Sequence, residues 1–171
     1  MTRSIRIHQH GGPEILQLET LDLGAPGPEE VRMRQTAVGL NFIDVYVRTG
    51  LYPVPELPSG VGFEAAGIVE EVGADVTEFS KGDRVAYAGG PLGAYAGARN
   101  IAARHLVRLP DSISEQQAAS IMLQGLTAHY LIRQIYPVKA GETILMHAAA
   151  GGVGLIVCQW AKSLGVEVIG T

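Results

Sequence analysis

The sequence predicts a mixed fold, in which a β-rich N-terminal part is followed by the beginning of an α/β unit. Residues 3 to about 110 contain short alternating apolar and polar segments separated by glycine and proline turns, a pattern typical of strands. Beyond residue 112 the periodicity becomes helical, and an apolar strand, a glycine-rich turn, a helix and a second apolar strand follow. The 171 residues, 47% hydrophobic and 18% charged, suffice for one or two ordered globular domains.

Alternation predicts several strands in the first part. The longest, residues 30–38, places Val31 and Met33 on one face and Arg32 and Arg34 on the other. Further strands are predicted at residues 4–8, 15–19, 61–72, 81–87 (entered through a turn) and 105–110.

A short helix is predicted at residues 41–48, with Asn41 as its N-cap and Gly50 as its stop. Four aromatic residues fall close together around it: Phe42, Tyr46, Tyr52 and Phe63. They fit a core cluster under a long loop and a pocket for a planar substrate equally well, so both interpretations stay open.

Helical patterns cover residues 114–123 and 126–136, with Gly125 between them. Either Ser112 with Glu115 or Ser114 with Gln117 fits a capping box at the start of the first helix. A change of domain is expected near residues 110–125.

The stretch from Thr143 to Gly154, TILMHAAAGGVG, carries the clearest chemistry. A strand, a glycine turn and a helix start in this order bind the pyrophosphate of a dinucleotide, because backbone N–H groups must approach the phosphates closely. Gly151 and Gly154 occupy two places of the G-x-G-x-x-G pattern, and Ala149 replaces the first glycine. The sequence therefore predicts a dinucleotide site, although such turns also occur where helix and strand merely pack tightly.

Composition excludes several classes of function. A net charge of −4 does not favour nucleic acid or an anionic membrane as the main partner. The single cysteine, Cys158, excludes an internal disulfide framework and a zinc site built from cysteines. No apolar run reaches spanning length and no secretory signal is recognisable, so a cytoplasmic protein is expected.

Five motifs together resemble one known family: GLNFIDVYVRTGLYP, LPSGVGFEAAGIVEEVG, KGDRVAYA, QGLTAHYL and HAAAGGVGLIVCQWAKSLG. They are similar to the zinc-free quinone oxidoreductases, which include zeta-crystallin and belong to the medium-chain dehydrogenase/reductase superfamily. The resemblance runs from Arg3 to Thr171. It implies a GroES-like β domain at residues 1–115, followed by the start of a Rossmann dinucleotide-binding domain at residues 116–171. It also implies NADPH as cofactor, a quinone or related enone as substrate, and a homodimer at full length.

The resemblance also implies roles for individual residues. The catalytic set would be Asn41, Asp44, Tyr46 and Tyr52, which border or overhang the nicotinamide and substrate cleft in the family. The cofactor-binding set would be Asn41, Phe42, Tyr46, Thr127, Tyr130, Ala150, Gly151, Gly152, Val153 and Gly154. Most of these residues also admit a structural role, such as helix capping by Asn41 or core packing by Tyr130.

No metal is expected. Zinc-dependent relatives place a cysteine ligand where this chain has Asn41 and a histidine ligand where it has Phe63. A catalytic zinc needs about three protein ligands, and these two side chains cannot supply them. A carbonyl must then be polarised by hydrogen-bond donors such as tyrosine hydroxyls. One departure from some relatives is Gln124, where they carry a lysine.

Two alternatives remain open from the sequence. The acceptor could be an enoyl thioester or small enone, and the protein could bind NADPH without catalysis, as a crystallin-like structural protein. The relatives are about twice as long, and the ribose site that distinguishes NADP from NAD would lie beyond Thr171. A two-stranded parallel sheet leaves apolar faces uncovered, so we expect the 171 residues alone to be inactive and prone to aggregation.

Overall fold

The structure is a computed structural model that describes residues 1–171, and the chain divides into two compact units, Met1–Ser120 and Ile121–Thr171. The strands are β1 (Thr2–Ile7), β2 (Gln17–Leu21), β3 (Glu30–Gly39), β4 (Ser59–Gly60), β5 (Glu64–Val72), β6 (Arg84–Ala88), β7 (Ala98–Ala102), β8 (Val107–Arg108), β9 (Thr143–Met146) and β10 (Glu167–Gly170). The α-helices are α1 (Phe42–Thr49), α2 (Glu115–His129) and α3 (Gly152–Ser163). Short 3₁₀ turns lie at Pro13–Ile15 and Ala103–His105.

The first unit is built on a five-stranded antiparallel sheet in the order β7-β3-β5-β6-β8. As the alternation of residues 30–38 predicts, Val31 and Met33 are fully buried while Arg34 on the other face is exposed. The pairing of β3 with β5 shifts its register between Gln35 and Ala37. Gly67 lies at this irregularity because a Cβ there would overlap the carbonyl oxygen of Arg34.

A part-buried polar network lies beside the core of this sheet. Gln35 points inward, where its side-chain oxygen accepts a 2.6 Å hydrogen bond from the Tyr87 hydroxyl. Its side-chain nitrogen donates to the carbonyl oxygens of Ala94 and Ala96 at 3.1 and 2.7 Å. These bonds satisfy a polar residue beside an apolar core, and they fix the loop that carries Tyr95.

A smaller antiparallel sheet has the order β2-β1-β4. It packs a second apolar cluster of Ile7, Ile15 and Val61, against which Tyr95 is partly buried. The strand predicted at residues 15–19 is confirmed in part, since the strand begins at Gln17 and Ile15 ends a 3₁₀ turn.

Two strand predictions need correction, and two short strands, β4 and β7, were not predicted. The strand predicted from residue 61 begins at Glu64, because Gly62 has a φ of +94° that does not fit an extended strand. The strand predicted at residues 105–110 is reduced to Val107–Arg108. β7 is absent from the prediction because ARNIA shows no clear alternation, and its pairing with β3 supplies the strand instead.

α1 is confirmed with both of its expected ends. Asn41 is the N-cap in an extended conformation, and Gly50 closes the helix in the left-handed region with a φ of +84°. The Asp44 carboxylate accepts a 2.9 Å hydrogen bond from the Asn41 backbone N–H, which is one half of a capping box.

The helical character predicted for residues 114–123 and 126–136 is confirmed, but the break predicted at Gly125 is wrong. α2 passes through Gly125 without a break and continues into a π-helical segment, Tyr130–Ile135. A single glycine costs a helix only about 1 kcal/mol, too little to end this one. Of the two capping boxes considered, Ser114 with Gln117 forms, through reciprocal hydrogen bonds of 2.8 and 3.2 Å.

The second unit contains the predicted strand–turn–helix–strand segment. β9 and β10 pair in parallel, with Ile144 opposite Val168. Its core consists of Ala128, Ile132, Val138, Val157, Ala161 and Val166. The mixed fold, a β-rich domain followed by the start of a Rossmann unit, is confirmed. No helix is long and apolar enough to cross a membrane.

Candidate functional site

Asn41 is held by a buried acid of the neighbouring strand. Its side-chain nitrogen donates a 2.6 Å hydrogen bond to Oε2 of Glu64, the first residue of β5. Asn41 is 6% exposed and Glu64 only 1%. A Cβ at Gly39 would overlap Oε2 of Glu64 and the carbonyl oxygen of Ala119, so the backbone packs tightly around this pair. The amide of Asn41 is therefore fixed in one orientation.

Asp44 forms a second buried polar pair, on α1 itself. One carboxylate oxygen, Oδ2, accepts hydrogen bonds from the Asn41 backbone N–H at 2.9 Å and from the Tyr95 hydroxyl at 2.7 Å. Burial raises the pKa of Asp44, and these two hydrogen bonds oppose the shift. Burial and the adjacent carboxylate raise the pKa of Tyr95, so its hydroxyl stays protonated and serves as the donor.

Phe42, Tyr46 and Tyr52 form an aromatic cluster on the surface of the first unit. The ring centroids of Phe42 and Tyr46 lie 5.2 Å apart, edge to face, and those of Tyr46 and Tyr52 lie 5.3 Å apart. The Tyr52 backbone N–H bonds to the Tyr46 carbonyl oxygen at 3.1 Å, which folds the loop back onto α1. Because Phe42 is 70% and Tyr52 50% exposed, the core interpretation is wrong for these two rings, whereas Tyr46 is half-buried between them. Phe63 is half-buried.

α1 separates the aromatic cluster from Asp44. With about 100° of rotation per residue, Phe42 and Tyr46 share one side of the helix, and Asp44 lies on the opposite side. Burial follows this division, since Asp44 and Val47 are buried while Phe42 is exposed. The residues of the expected catalytic set thus do not all face the same way.

In the second unit, the glycine turn forms the expected tight connection between β9 and α3. The Gly151 N–H bonds to the Ala148 carbonyl oxygen at 2.9 Å, and Ala148 has a φ of +54°, rare for a residue with a side chain. The first bond inside α3 runs from the Leu155 N–H to the Gly151 carbonyl oxygen at 2.8 Å. The N–H groups of residues 152–154 lie before this first helical bond, so no carbonyl oxygen of a preceding helical turn is available to accept from them.

At Gly154 of this turn the backbone leaves no room for a side chain, whereas at Gly152 only the flexible end of Gln124 is in the way. A Cβ at Gly154 would overlap the carbonyl oxygen of Ala148 and the backbone of Ala149. A Cβ at Gly152 would overlap the side-chain oxygen of Gln124. Gln124 thus lies against the turn, at the position where some relatives carry lysine. An exposed helix N-terminus whose glycines keep the backbone accessible fits a dinucleotide pyrophosphate.

The remaining expected cofactor residues lie on and after α2. The Thr127 hydroxyl donates a 2.8 Å hydrogen bond to the Leu123 carbonyl oxygen, one turn earlier. Tyr130 is 51% exposed and begins the π-helical segment, a feature frequently found at functional sites. Its exposure disagrees with core packing, the structural alternative considered for it. Ala150 is exposed and Val153 half-buried beside the glycine turn.

Glu64 and Tyr95 are the polar residues that sequence reasoning missed. Glu64 is the single charged residue in the apolar run VGFEAAGIV, and an acid in such a run needs a buried partner. That signal was available, whereas nothing in the sequence around Tyr95 indicates its bond to Asp44. No three or more His, Cys, Asp and Glu side chains are grouped so that they could hold a metal ion.

Comparison with known proteins extends these observations. Residues 27–111 match the family model of the alcohol dehydrogenase GroES-like domain. The quinone oxidoreductase of Pseudomonas aeruginosa is 59% identical over 171 residues, 100% of this chain and 53% of that protein. The Pseudomonas syringae quinone oxidoreductase structure has a TM-score of 0.97 at 56% identity, over 99% of this chain and 52% of that one. The Escherichia coli quinone oxidoreductase, complexed with NADPH, has a TM-score of 0.96 at 53% identity, with the same coverage.

A GroES-like β domain followed by a strand–glycine turn–helix–strand unit defines the class as the medium-chain dehydrogenases/reductases. Within that class, the chain matches quinone oxidoreductases over its whole length, and the predicted resemblance is confirmed. The chain spans about half the length of the curated relatives it matches.

Proposed function

We propose that this chain is part of an NADPH-dependent quinone reductase that works without zinc on a quinone or a related enone. The observation that carries the proposal is the glycine turn, where the backbone at Gly154 excludes a side chain at the start of α3. The identity of more than 50% to quinone oxidoreductases, one of them complexed with NADPH, supports the same cofactor and substrate class.

The residues present fit the cofactor. The N–H groups of residues 152–154 and the positive end of the α3 dipole would hold the pyrophosphate, with Ala150 and Gly151 completing the turn. Thr127 and Tyr130 are proposed to contact the cofactor as well. When bound, NADPH supplies the hydride for the reduction.

In the first unit, the aromatic cluster is proposed to bind the acceptor. Exposed rings at 5.2 and 5.3 Å offer flat faces for a planar quinone, and the Tyr46 and Tyr52 hydroxyls can donate hydrogen bonds to its oxygen. Phe42 contributes a ring but no donor. The bond to Glu64 keeps the Asn41 amide in one orientation beside this site.

Asp44 takes a positioning role in this proposal. Its carboxylate lies on the opposite side of α1 from the tyrosines, where it bonds the Asn41 backbone and Tyr95. It can fix the start of α1, and with it Asn41 and Tyr46, without touching the acceptor.

The zinc-free part of the proposal is supported by the side chains at the two ligand positions of zinc-dependent relatives. Asn41 is bound to Glu64, and Phe63 has no donor atom. The proposal also includes a homodimer of the longer enzyme, which the family resemblance implies, and a cytoplasmic location, which the sequence predicts.

The first experiment is an NADPH titration of the 171-residue chain, followed by nicotinamide fluorescence and Trp160 emission. We expect saturable binding that Gly154→Ala weakens at least about tenfold, because the new methyl group overlaps the turn. Gly125→Ala is the matched control, since its Cβ would meet Ile121 at an ordinary 3.7 Å. Absence of NADPH binding with red-shifted Trp160 emission would limit the cofactor assignment to the longer protein, whereas binding that Gly154→Ala leaves unchanged would contradict the turn as the pyrophosphate site.

Catalysis is tested in a chimera, in which this chain replaces the matching half of the Pseudomonas aeruginosa quinone oxidoreductase. We expect NADPH-dependent reduction of 1,4-benzoquinone, with kcat lowered about tenfold or more by Tyr46→Phe through loss of a hydrogen-bond donor. Leu18→Ala, on an exposed residue outside the cluster, is the control. A chimera that binds NADPH but reduces neither quinones nor enones would support the non-catalytic alternative.

A further inference from the structure

A cavity of about 130 Å³ lies beside α1, on the side away from Phe42 and Tyr46. Its walls are mainly apolar and include Leu16, Val45 and Val61. Two charged residues of α1, Asp44 and Arg48, also line it. We call this space the α1 cavity, and it belongs entirely to the first unit.

Two polar atoms at the α1 cavity have no hydrogen-bond partner. They are Oδ1 of Asp44 and Nε of Arg48, and both atoms are buried. Oδ2 of Asp44 is already occupied by Tyr95 and by the Asn41 backbone, while Oδ1 is left over on a side chain that is only 4% exposed. Buried polar atoms are nearly always paired, so this pair of atoms indicates a missing partner.

The two atoms restrict the chemistry of that partner. Asp44 and Arg48 are four residues apart on one helix, so their side chains start next to each other. Oδ1 needs a donor and Nε–H needs an acceptor, and a single hydroxyl group is both. A cation would meet the Arg48 guanidinium and an anion the Asp44 carboxylate, whereas a ketone or quinone oxygen has no hydrogen to donate.

The volume of the α1 cavity restricts the size of the missing partner. An apolar cavity of about 150 Å³ is known to hold one benzene molecule, and the α1 cavity is slightly smaller. We propose that the α1 cavity binds a small neutral phenol, with its ring between Leu16, Val45 and Val61 and its hydroxyl between Asp44 Oδ1 and Arg48 Nε.

This site differs from the proposed acceptor site in its ligand, although Asn41 also lines the α1 cavity and Asp44 fixes the start of α1. It uses the side of α1 opposite the aromatic cluster and selects for a hydroxyl group, which an oxidised quinone lacks. Its failure would leave the NADPH and quinone proposals unchanged, and their failure would leave this site unchanged.

The test compares 4-fluorophenol with fluorobenzene by ¹⁹F NMR titration of the 171-residue chain. The two probes share a fluorinated ring and differ in the hydroxyl. We expect 4-fluorophenol to bind one site about tenfold more tightly than fluorobenzene, as hydrogen bonds to two charged groups require. Equal affinities, or no binding of 4-fluorophenol, would overturn the proposal.

Two variants locate the site. Leu16→Trp should fill the cavity and abolish binding, whereas Leu18→Trp, on a 54% exposed neighbour outside the cavity, should leave it intact. Arg48→Met reaches only as far as the position of Nε and has no donor there, so the preference for the phenol over fluorobenzene should shrink. Unchanged phenol binding by Leu16→Trp would place the phenol elsewhere and refute the site.

Discussion

The two units of this chain bury their β-sheets to very different extents. In the first unit, each strand of the five-stranded sheet pairs with its neighbours, and Val31, Met33 and Val85 are completely buried. In the second unit, β9 and β10 are the only strands of their sheet, and Leu145 and Ile169, paired across it, are 60% and 54% exposed. Parallel sheets are normally covered on both faces, whereas antiparallel sheets can leave one face to solvent, so only the second unit departs from the pattern of its sheet type.

The difference shows that the strength of a sequence motif and the extent of strand pairing around it are separate properties. The second unit carries the clearest motif of the chain, the glycine turn, on the less complete sheet. The first unit carries a weaker chemical signal, the aromatic cluster, on a well-packed domain. Binding of the pyrophosphate needs mainly a local turn and one helix, whereas a buried core needs long-range pairing.

The largest effect is expected from Gly67→Ala in the first unit. The added Cβ would overlap the Arg34 carbonyl oxygen in the adjacent strand, and a backbone atom cannot move aside as a flexible side chain can. We expect a loss of about 3 kcal/mol in the free energy of unfolding, measured by urea denaturation.

Gly125→Ala is the control for this substitution, because its Cβ meets only Ile121 at 3.7 Å. A Gly67→Ala variant as stable as this control would show that the paired sheet is more adaptable than its packing suggests. The contrast between the units would then be weaker than proposed.

Hydrogen exchange tests the contrast directly. Amides of β3 and β5, buried in the middle of the five-stranded sheet, should be protected by about 2 kcal/mol more than those of β9 and β10. Mass spectrometry after proteolysis would resolve the two sets. Equal protection would mean that the two units open as a single cooperative structure.

A smaller effect is expected from Tyr95→Phe. The hydroxyl donates a 2.7 Å hydrogen bond to the buried Asp44 carboxylate, and its removal leaves the carboxylate with one donor fewer. We expect a loss of about 1.5 kcal/mol, measured by urea denaturation at neutral pH. Tyr136→Phe, on a 55% exposed tyrosine, is the control and should change stability little.

The pH dependence of Asp44 has a definite sign. Its pKa is raised in the folded chain, so the folded state holds a proton more tightly than the unfolded state. This carboxyl therefore lowers stability as the pH rises from its unfolded pKa to its folded pKa, and contributes no further change above it.

Asp44→Asn removes that titration and keeps an oxygen that can accept the bonds of Asn41 and Tyr95. The stability of the wild type relative to Asp44→Asn should therefore be greater at pH 4 than at pH 7. Urea denaturation at both pH values measures it. The opposite trend would show that the hydrogen bonds to Oδ2 outweigh the burial of the charge.

A structural feature could be predicted from the sequence where the residues that determine it are neighbours along the chain. α1 with its ends at Asn41 and Gly50, and the turn from Ala148 to Gly154, follow from neighbouring residues, and the structure has both. β7 could not be predicted, because the identity of ARNIA as a strand comes from pairing with β3, far away in sequence. The resemblance to quinone oxidoreductases supplied the domain order that local patterns lacked.

The candidate site shows the same limit. The bond from Asn41 to Glu64 joins residues 23 apart, and that from Tyr95 to Asp44 joins residues 51 apart. Neither hydrogen bond can be recognised from the spacing of residues along the sequence. The aromatic residues were recognisable by their density, but whether they were core or surface depended on which side of α1 the domain packs against. The catalytic and cofactor roles of these residues stay predictions.

The smallest effect concerns Gly125, the residue that led the sequence interpretation to break α2. In the structure the helix passes through it, its φ is not in the left-handed region, and a Cβ would make an ordinary contact with Ile121. Gly125→Ala should thus raise the free energy of unfolding by about 0.5–1 kcal/mol, since alanine restricts the unfolded chain and favours the helix. Thermal unfolding followed by circular dichroism measures the gain. A loss of stability would mean that the backbone at Gly125 adopts a conformation that only glycine tolerates. α2 would then be strained at this position.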